Sequence, residues 1–460
     1  MPFILGANSV SGYTVKNSLR FNSGSSDYLN RANSTPTGTT KWTFSTWLKR
    51  SVLSTRQQMF RVINPSSTSA YAYVEIDADQ LGVAEVDGTN VIYRATTQVF
   101  RDVSAWYHIV VAIDTTQATA SNRIKIYVNG SEITSFAYTI DGIQNQTVSA
   151  TASGKNQYVG AGENTRFTGG YMSEIFFIDG QQLTPSSFGE TDTATGIWKP
   201  KAYTGTYGTN GFYLKFANSA SLGTDSSGNG NNFTVNNLTS VDQTTDTPTN
   251  NFATLNPVLA SSSSGLTNGN TTYTNSSATY GTRLSTIATS IGKWYFEAKV
   301  VQMTDSFSMF GIQDITQFSA SSFPSATSRG YAYRSDGLKG NNNTNSSFGN
   351  TYTTGDIIMI ALDLDNNYIY AGKNGTWQNS GVPTSGSSGT GAMFSVTSGY
   401  DYCFAVENTD NTTDPIIDAN FGNPQYSANS YTDGAGYGNF SYSVPSGYYS
   451  LCTKNLATYG

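Results

Sequence analysis

Charged side chains make up only 12% of the 460 residues, about half the usual share. With 25 Lys and Arg against 31 Asp and Glu, and a net charge of -6, the chain has no basic run to neutralise a phosphate backbone. That excludes nucleic acid as a partner. Histidine occurs once, at His108, so a multi-histidine metal site is impossible, and any Ser-His or Cys-His catalytic pair has to be built on that one ring. The two cysteines, Cys403 and Cys452, are too few for a disulfide scaffold or a cysteine zinc site. Cys403, inside the apolar run 402–406, reads as a core thiol. No apolar run approaches the ~18 residues of a membrane-crossing helix, so membrane insertion is not expected. The first ten residues lack the basic and long apolar regions of a signal peptide, which predicts synthesis and folding in a cytoplasm.

Aromatics, by contrast, are plentiful: 30 Tyr, 24 Phe and 6 Trp, or 13% of the chain, which is incompatible with disorder. No long window carries the i, i+3, i+4, i+7 pattern of an amphipathic helix. Short alternating runs bounded by Gly, Asn, Asp and Ser recur instead, so the chain reads as all-β. Strands are predicted at 18–21, 42–49, 59–63, 71–76, 106–114, 123–128 and 171–178, and again at 294–301, 307–313, 330–333, 356–363, 368–373 and 402–407. A short helix is predicted after Thr184, where Pro185 follows a capping residue. Between 218 and 250 apolar periodicity gives way to Gly, Ser, Thr and Asn, a linker composition. The polar stretch 260–279 is assigned to the start of the next domain. The expected architecture is two tandem β-sandwich (jelly-roll) domains, 1–217 and 251–460, joined by a Gly/Ser/Asn-rich linker at 218–250.

Ser18, Leu19, Arg20 and Phe21, the following Asp27, Tyr28 and Leu29, the run 42–47, and the pair of runs 106–114 and 124–128 ending in Asn129-Gly130 resemble laminin-G or concanavalin-A-like lectin domains. Asn-Gly supplies the positive φ angles of a two-residue hairpin. The closing run 170–179 extends the resemblance over roughly residues 15 to 190, and it implies a jelly-roll sandwich more firmly than a ligand. In the second half, 292–297, 310–312, 355–365 with Asn374-Gly375, 402–406 and 420–422 resemble SPRY domains, which implies a binding module using loops at one end of a sandwich. Residues 183–257 and 445–456 are similar in character to structural proteins of marine bacteriophages, including cyanophages. That likeness implies a virion protein, displayed on the particle as a fibre, tail or capsid appendage.

Chemistry is mostly sought in vain. Glu75, Asp77 and Asp79 alternate as the catalytic carboxylates of concanavalin-like glucanases do, yet the last carboxylate of such a trio falls on Gln80, which cannot supply a proton. A solvent-facing strand is the plainer reading. The run 225–232, opening on Asp225, has oxygen ligands and glycines but lacks the acidic density of a calcium loop. Asp363, Asp365 and Asn366 fit a hairpin turn. His108, in a strand, reads as a ring hydrogen-bonded within the sandwich. No catalytic residue, metal or cofactor is therefore expected. Loop aromatics offer flat faces for stacking, and the candidate binding residues are Trp198, Tyr203, Tyr207, Tyr333 and Trp377. The expected function is adhesion to host cell-surface glycan or attachment to other virion proteins, with homo-oligomerisation. A capsid decoration protein without glycan binding, and a glycan depolymerase, are the alternatives.

Overall fold

A computed structural model of the protein describes residues 12–162, 165–259, 265–275, 281–303, 307–319, 322–409 and 414–460. The described chain is nearly all strand, and residues 12–249 and 250–460 form separate compact units.

In the first unit two eight-stranded antiparallel sheets enclose one core. One sheet runs, in spatial order, Ser131–Glu132, Ile124–Val128, Trp106–Asp114, Lys41–Arg50, Gly170–Asp179, Ser18–Phe21 and Gln243–Thr244, with Phe212–Leu214 also pairing on Gly170–Asp179. The other runs Phe136–Asp141, Val91–Val99, Gln80–Asp87, Ser67–Asp77, Gln57–Asn64, Asn156–Val159, Tyr28–Ala32 and Thr234–Asn236. Alternation decides the inward faces: Ala72, Val74 and Ile76 from one strand meet Phe44, Leu48, Val111 and Phe177 from the facing sheet in a single buried cluster. Burying such side chains stabilises the unit by about 1.5–3 kcal/mol each relative to exposure.

Residues 218–250 are not a linker. Thr234–Asn236 pairs with Tyr28–Ala32, and Gln243–Thr244 pairs with Ser18–Phe21. Of the few apolar residues of this segment, Leu222, Phe233 and Leu238 are anchors in the main core. Asp246 lies fully buried, bonded to Lys49 Nζ at 2.7 Å and to Trp106 Nε1 at 3.1 Å. Isolated anchors on irregular backbone leave no periodicity, which is why the segment has the composition of a linker.

The second unit pairs a nine-stranded sheet, built around Lys293–Gln302, Ile357–Asp363, Tyr368–Lys373 and Ile416–Asn420, with a six-stranded one built around Phe307–Asp314, Gly330–Arg334 and Tyr402–Thr409. Of the polar stretch 260–279, residues 260–264 and 276–279 lie outside the described residues, and the remainder forms strands Leu266–Thr267 and Thr272–Thr274. The nine-stranded sheet is covered on both faces. Its outer face, with Tyr295, Met359, Ala361 and Tyr370, is sealed by Phe440 and Tyr448 of the C-terminal segment. Glu297, buried in that layer, accepts the backbone N–H groups of Ser441 (2.8 Å) and Tyr442 (2.9 Å) and the Tyr295 hydroxyl (2.9 Å). After Thr184 the chain makes only a single 3-10 turn, Pro185–Ser187. The α-helix among the described residues is Thr453–Tyr459, too short to leave a periodic signature.

Candidate functional site

His108 sits in strand Trp106–Asp114, opposite Trp47 of the neighbouring strand. Trp198 Nε1 donates to its Nδ1 at 2.9 Å, and Nε2 lies 2.9 Å from Ser45 Oγ. An indole N–H can only donate, so Nδ1 is the acceptor, the ring proton is on Nε2, and that proton is given to Ser45. The pair thus has the wrong polarity to activate the serine, since the base is donating to the hydroxyl it would need to deprotonate. Trp47 stacks on the imidazole at 4.8 Å and Trp198 at 5.9 Å between ring centroids. Burial pushes the imidazolium down to about 3.

Glu75 and Asp79 do not share a cleft face. The chain reverses between Asp77 and Gln80, with Ala78 at φ 46° and Asp79 at φ 67°, so the alternation ends at Asp77. Glu75 does not face solvent either. Its carboxylate takes Arg56 Nε (2.9 Å), Arg56 Nη2 (2.8 Å) and Gln58 Nε2 (2.7 Å), and both of its oxygens are occupied by these donors. Asp79 is buried between Arg50 Nη1 (2.9 Å) and Arg101 Nε (2.8 Å). Burial alone would raise its carboxyl, but Arg101, the Ser54 N–H and Arg50 outweigh it and hold it at about 2.

The Asp225 loop is closed on itself. Oδ1 accepts the N–H of Tyr213 (3.0 Å) and Ser227 (2.9 Å), and Oδ2 accepts Ser227 Oγ (2.7 Å) and the N–H of Asn231 (2.8 Å). Asn231 Oδ1 takes Arg31 Nη2 at 2.7 Å, so a guanidinium already stands where a cation would be drawn. Asp363 is bonded to Lys293 Nζ (3.0 Å) and to Asn366, and Asp365 accepts the N–H of Gly292. Among the described residues no cluster of three or more His, Cys, Asp or Glu could hold a metal ion. Cys403 and Cys452 are buried free thiols, pushed up to about 12 and about 11 by burial.

The five candidate binding aromatics are not brought together. Trp198 caps His108, and a Cβ on Gly130 or Gly189 would lie 2.5 Å from its ring. Tyr203 stacks on Phe188 at 5.1 Å and meets Tyr207 edge-on at 5.1 Å, in a satellite cluster with Phe176. Tyr333 is fully buried in the second core, which removes it from any surface site. Trp377 is half-buried against Tyr295. Each is occupied in packing, because a large ring near a thin sandwich gains more from covering core than from facing water.

A different aromatic array emerges on the outer face of the sheet that ends in Phe136–Asp141. Tyr71 and Tyr73 alternate with inward Ala72 and Val74, and their rings stack at 5.8 Å with an interplanar angle of 6°. Register carries the row across the sheet, with Tyr158 opposite Arg61, Arg61 opposite Tyr73, Tyr73 opposite Ala84 and Ala84 opposite Tyr93. The Arg61 guanidinium lies 5.3 Å from the Tyr71 ring centroid and that of Arg56 lies 5.7 Å from Tyr73. Tyr93 packs beside Tyr138 at 5.4 Å. Gly82 and Ala84 keep the floor between the rings low. The signal in sequence is the Tyr-x-Tyr-x-Glu spacing of 71–75, which puts rings and carboxylate on one side of a strand.

Residues 23–187 match the family model described as the Concanavalin A-like lectin/glucanases superfamily, of laminin-G type. Over this stretch the first unit is therefore similar to concanavalin A-like domains. Solved structures similar to the chain include the SPRY domain of human HERC1 (17% identity, 32% of this chain and 87% of that one, TM-score 0.27). A human SPRY domain (17% identity, 32% and 90%, TM-score 0.25) and the native heptameric SAP-like pentraxin of Limulus polyphemus (15% identity, 38% and 80%, TM-score 0.29) are also similar. No curated protein matches the chain.

Proposed function

We propose that the chain is a non-enzymatic adhesion protein of a bacteriophage particle that binds cell-surface glycan through the tyrosine and arginine face of its first unit. The observation that carries the carbohydrate reading is the pair of part-exposed rings Tyr71 and Tyr93, set beside the buried ring of Tyr73 and flanked by Arg56 and Arg61. A pyranose presents an apolar C–H face and a rim of hydroxyls, and flat rings interleaved with guanidinium donors complement both. The concanavalin A-like match over residues 23–187 supports the choice of ligand class. The engagement of both Glu75 oxygens by Arg56 and Gln58 favours binding over hydrolysis. The virion setting rests on the phage-like character of residues 183–257 and 445–456.

The test is a panel of surface polysaccharides presented to the purified protein. Binding is expected, and Tyr71→Ala and Tyr93→Ala each weaken it about fivefold, the loss of one ring contact of about 1 kcal/mol, while the melting temperature holds. Absence of binding to any glycan, or release of reducing ends from a bound one, refutes the reading.

A further inference from the structure

The two eight-stranded sheets of the first unit have four edges among the described residues, and three of them end in very short strands: Ser131–Glu132, Gln243–Thr244 and Thr234–Asn236. Short edges are one of the ways a sheet avoids pairing with another chain. The fourth edge, Phe136–Asp141, is six residues long and is guarded only near its start, by a register irregularity between Phe136 and Tyr138. Its sequence, Phe-Ala-Tyr-Thr-Ile-Asp, contains no Pro and no Lys. Its one charge, Asp141, is turned back onto Arg94 Nη2 at 2.6 Å. Exposed large apolar side chains also gather here. Val99 (41%), Tyr138 (55%), Ile140 (38%) and Ile143 (53%) lie on or beside this edge, and elsewhere in residues 12–249 only Ile197 and Val235 are comparably exposed among the described residues.

We propose that Phe136–Asp141 is a self-association edge, pairing antiparallel with the same strand of a second copy about a two-fold axis at Thr139. A two-fold perpendicular to the sheet keeps each side chain on its own face, so only residues of equal parity can stand opposite one another. With the axis at Thr139, Tyr138 faces the partner's Ile140 and Ile140 faces the partner's Tyr138, two aromatic–β-branched pairs of the kind that stabilise sheets. Asp141 meets the partner's Ala137, so no like charges oppose. Shifting the axis to Ile140 would instead set Tyr138 against the partner's Gly142 and Thr139 against the partner's Asp141, losing both apolar pairs. An axis at Tyr138 would set Phe136 against the partner's Ile140, but Phe136 stands across the register irregularity and packs on the core, so the Thr139 register is the one that makes its apolar pairs within regular strand. The ladder adds backbone hydrogen bonds along an edge that no further strand covers among the described residues. An interface of this length is modest and gives a reversible dimer.

The experiment uses the full chain. Sedimentation velocity from about 1 to about 100 μM spans the range expected for a small interface and should show a monomer–dimer equilibrium. Ile140→Lys, at a side chain already exposed, should abolish the dimer with the melting temperature unchanged. Thr139→Cys should form a disulfide-linked dimer under mild oxidation, since opposed residues of an antiparallel pair bring their Cα atoms to about 4.5–5.5 Å, within disulfide reach. Ala137→Cys should not, because the two copies of that position lie about 14 Å apart along the ladder. Cys403 and Cys452 are buried and do not compete. A protein monomeric throughout, a dimer that survives Ile140→Lys, or cross-linking at 137 in preference to 139 overturns the proposal. Glycan binding by the Ile140→Lys variant is scored separately, so failure here is distinguishable from failure of the carbohydrate reading.

Discussion

His108 shows how far a single residue can be read once its partners are known. Trp198 on one nitrogen and Ser45 on the other lock one neutral tautomer under two stacked indoles. Burial lowers the imidazolium from 6.5 to about 3, so between those values the unfolded chain holds a proton that the folded one does not. Stability from this group is complete above pH 6.5 and is lost as the pH falls toward 3. Glu85 has the opposite sign. Burial raises its carboxyl from 4.5 to about 8 against the donors Ser149, Trp42 and Ala150, so its contribution is complete at low pH and is lost as the pH rises through that interval. Because the chain has a single histidine, its C2–H proton resonance is assignable without variants, and it is expected to stay fixed from about pH 8 to about pH 5. A titration centred near 6.5 would show the ring to be solvated. The bland role expected of His108 was legible from its place in a strand. Its tautomer was not, because Trp198 comes from 90 residues further along the chain.

At the scale of elements, local turn chemistry was the most readable signal. Asn129-Gly130 and Asn374-Gly375 both close two-residue hairpins with positive φ at each position. Strands such as Ser18–Phe21, Trp106–Asp114 and Tyr368–Lys373 fall where alternation puts them. Gln80–Asp87 escaped because the turn before it, Ala78-Asp79, puts an alanine at positive φ and so carries little turn signature, and Val91–Val99 escaped although Gly88 and Asn90 mark the turn before it. The array at Tyr71, Tyr73 and Tyr93 escaped with them, since its row is assembled by the register of those strands. Gly130 answers to two demands at once: φ is +81°, and a Cβ would stand 2.5 Å from the Trp198 ring. Gly130→Ala is therefore expected to cost about 2 kcal/mol, from strain plus the displaced indole. Urea unfolding checks it, and a loss below about 0.5 kcal/mol, the level of an ordinary surface change, would mean that Trp198 yields freely.

For the whole molecule, two sandwich units, an all-β class and the start of the second unit at 251 were legible to within a residue, whereas the end of the first unit was not. Composition sees Gly, Ser and Asn in 218–250; the fold uses Leu222, Phe233, Leu238 and Asp246 from the same stretch to close the first core. A fragment covering 12–217 is accordingly expected to lack a cooperative thermal transition, while one covering 12–249 melts in a single step. Equal transitions for both fragments would return 218–250 to the status of a tether. The C-terminal segment was likewise unreadable as a sheet cover, because Phe440 and Tyr448 are single anchors on irregular backbone.

Lys49 with Asp246, Arg50 with Asp79, and the inward carboxylates of Asp314 and Asp363 with Arg329 and Lys293 use up charges in a chain that has few. What is left outside projects a weak and mixed field, so approach to any target proceeds by unsteered diffusion. Brackish or concentrated brine would then alter the rate of encounter very little. Residence on the proposed glycan would be governed by rings and hydroxyls, which sodium chloride does not screen.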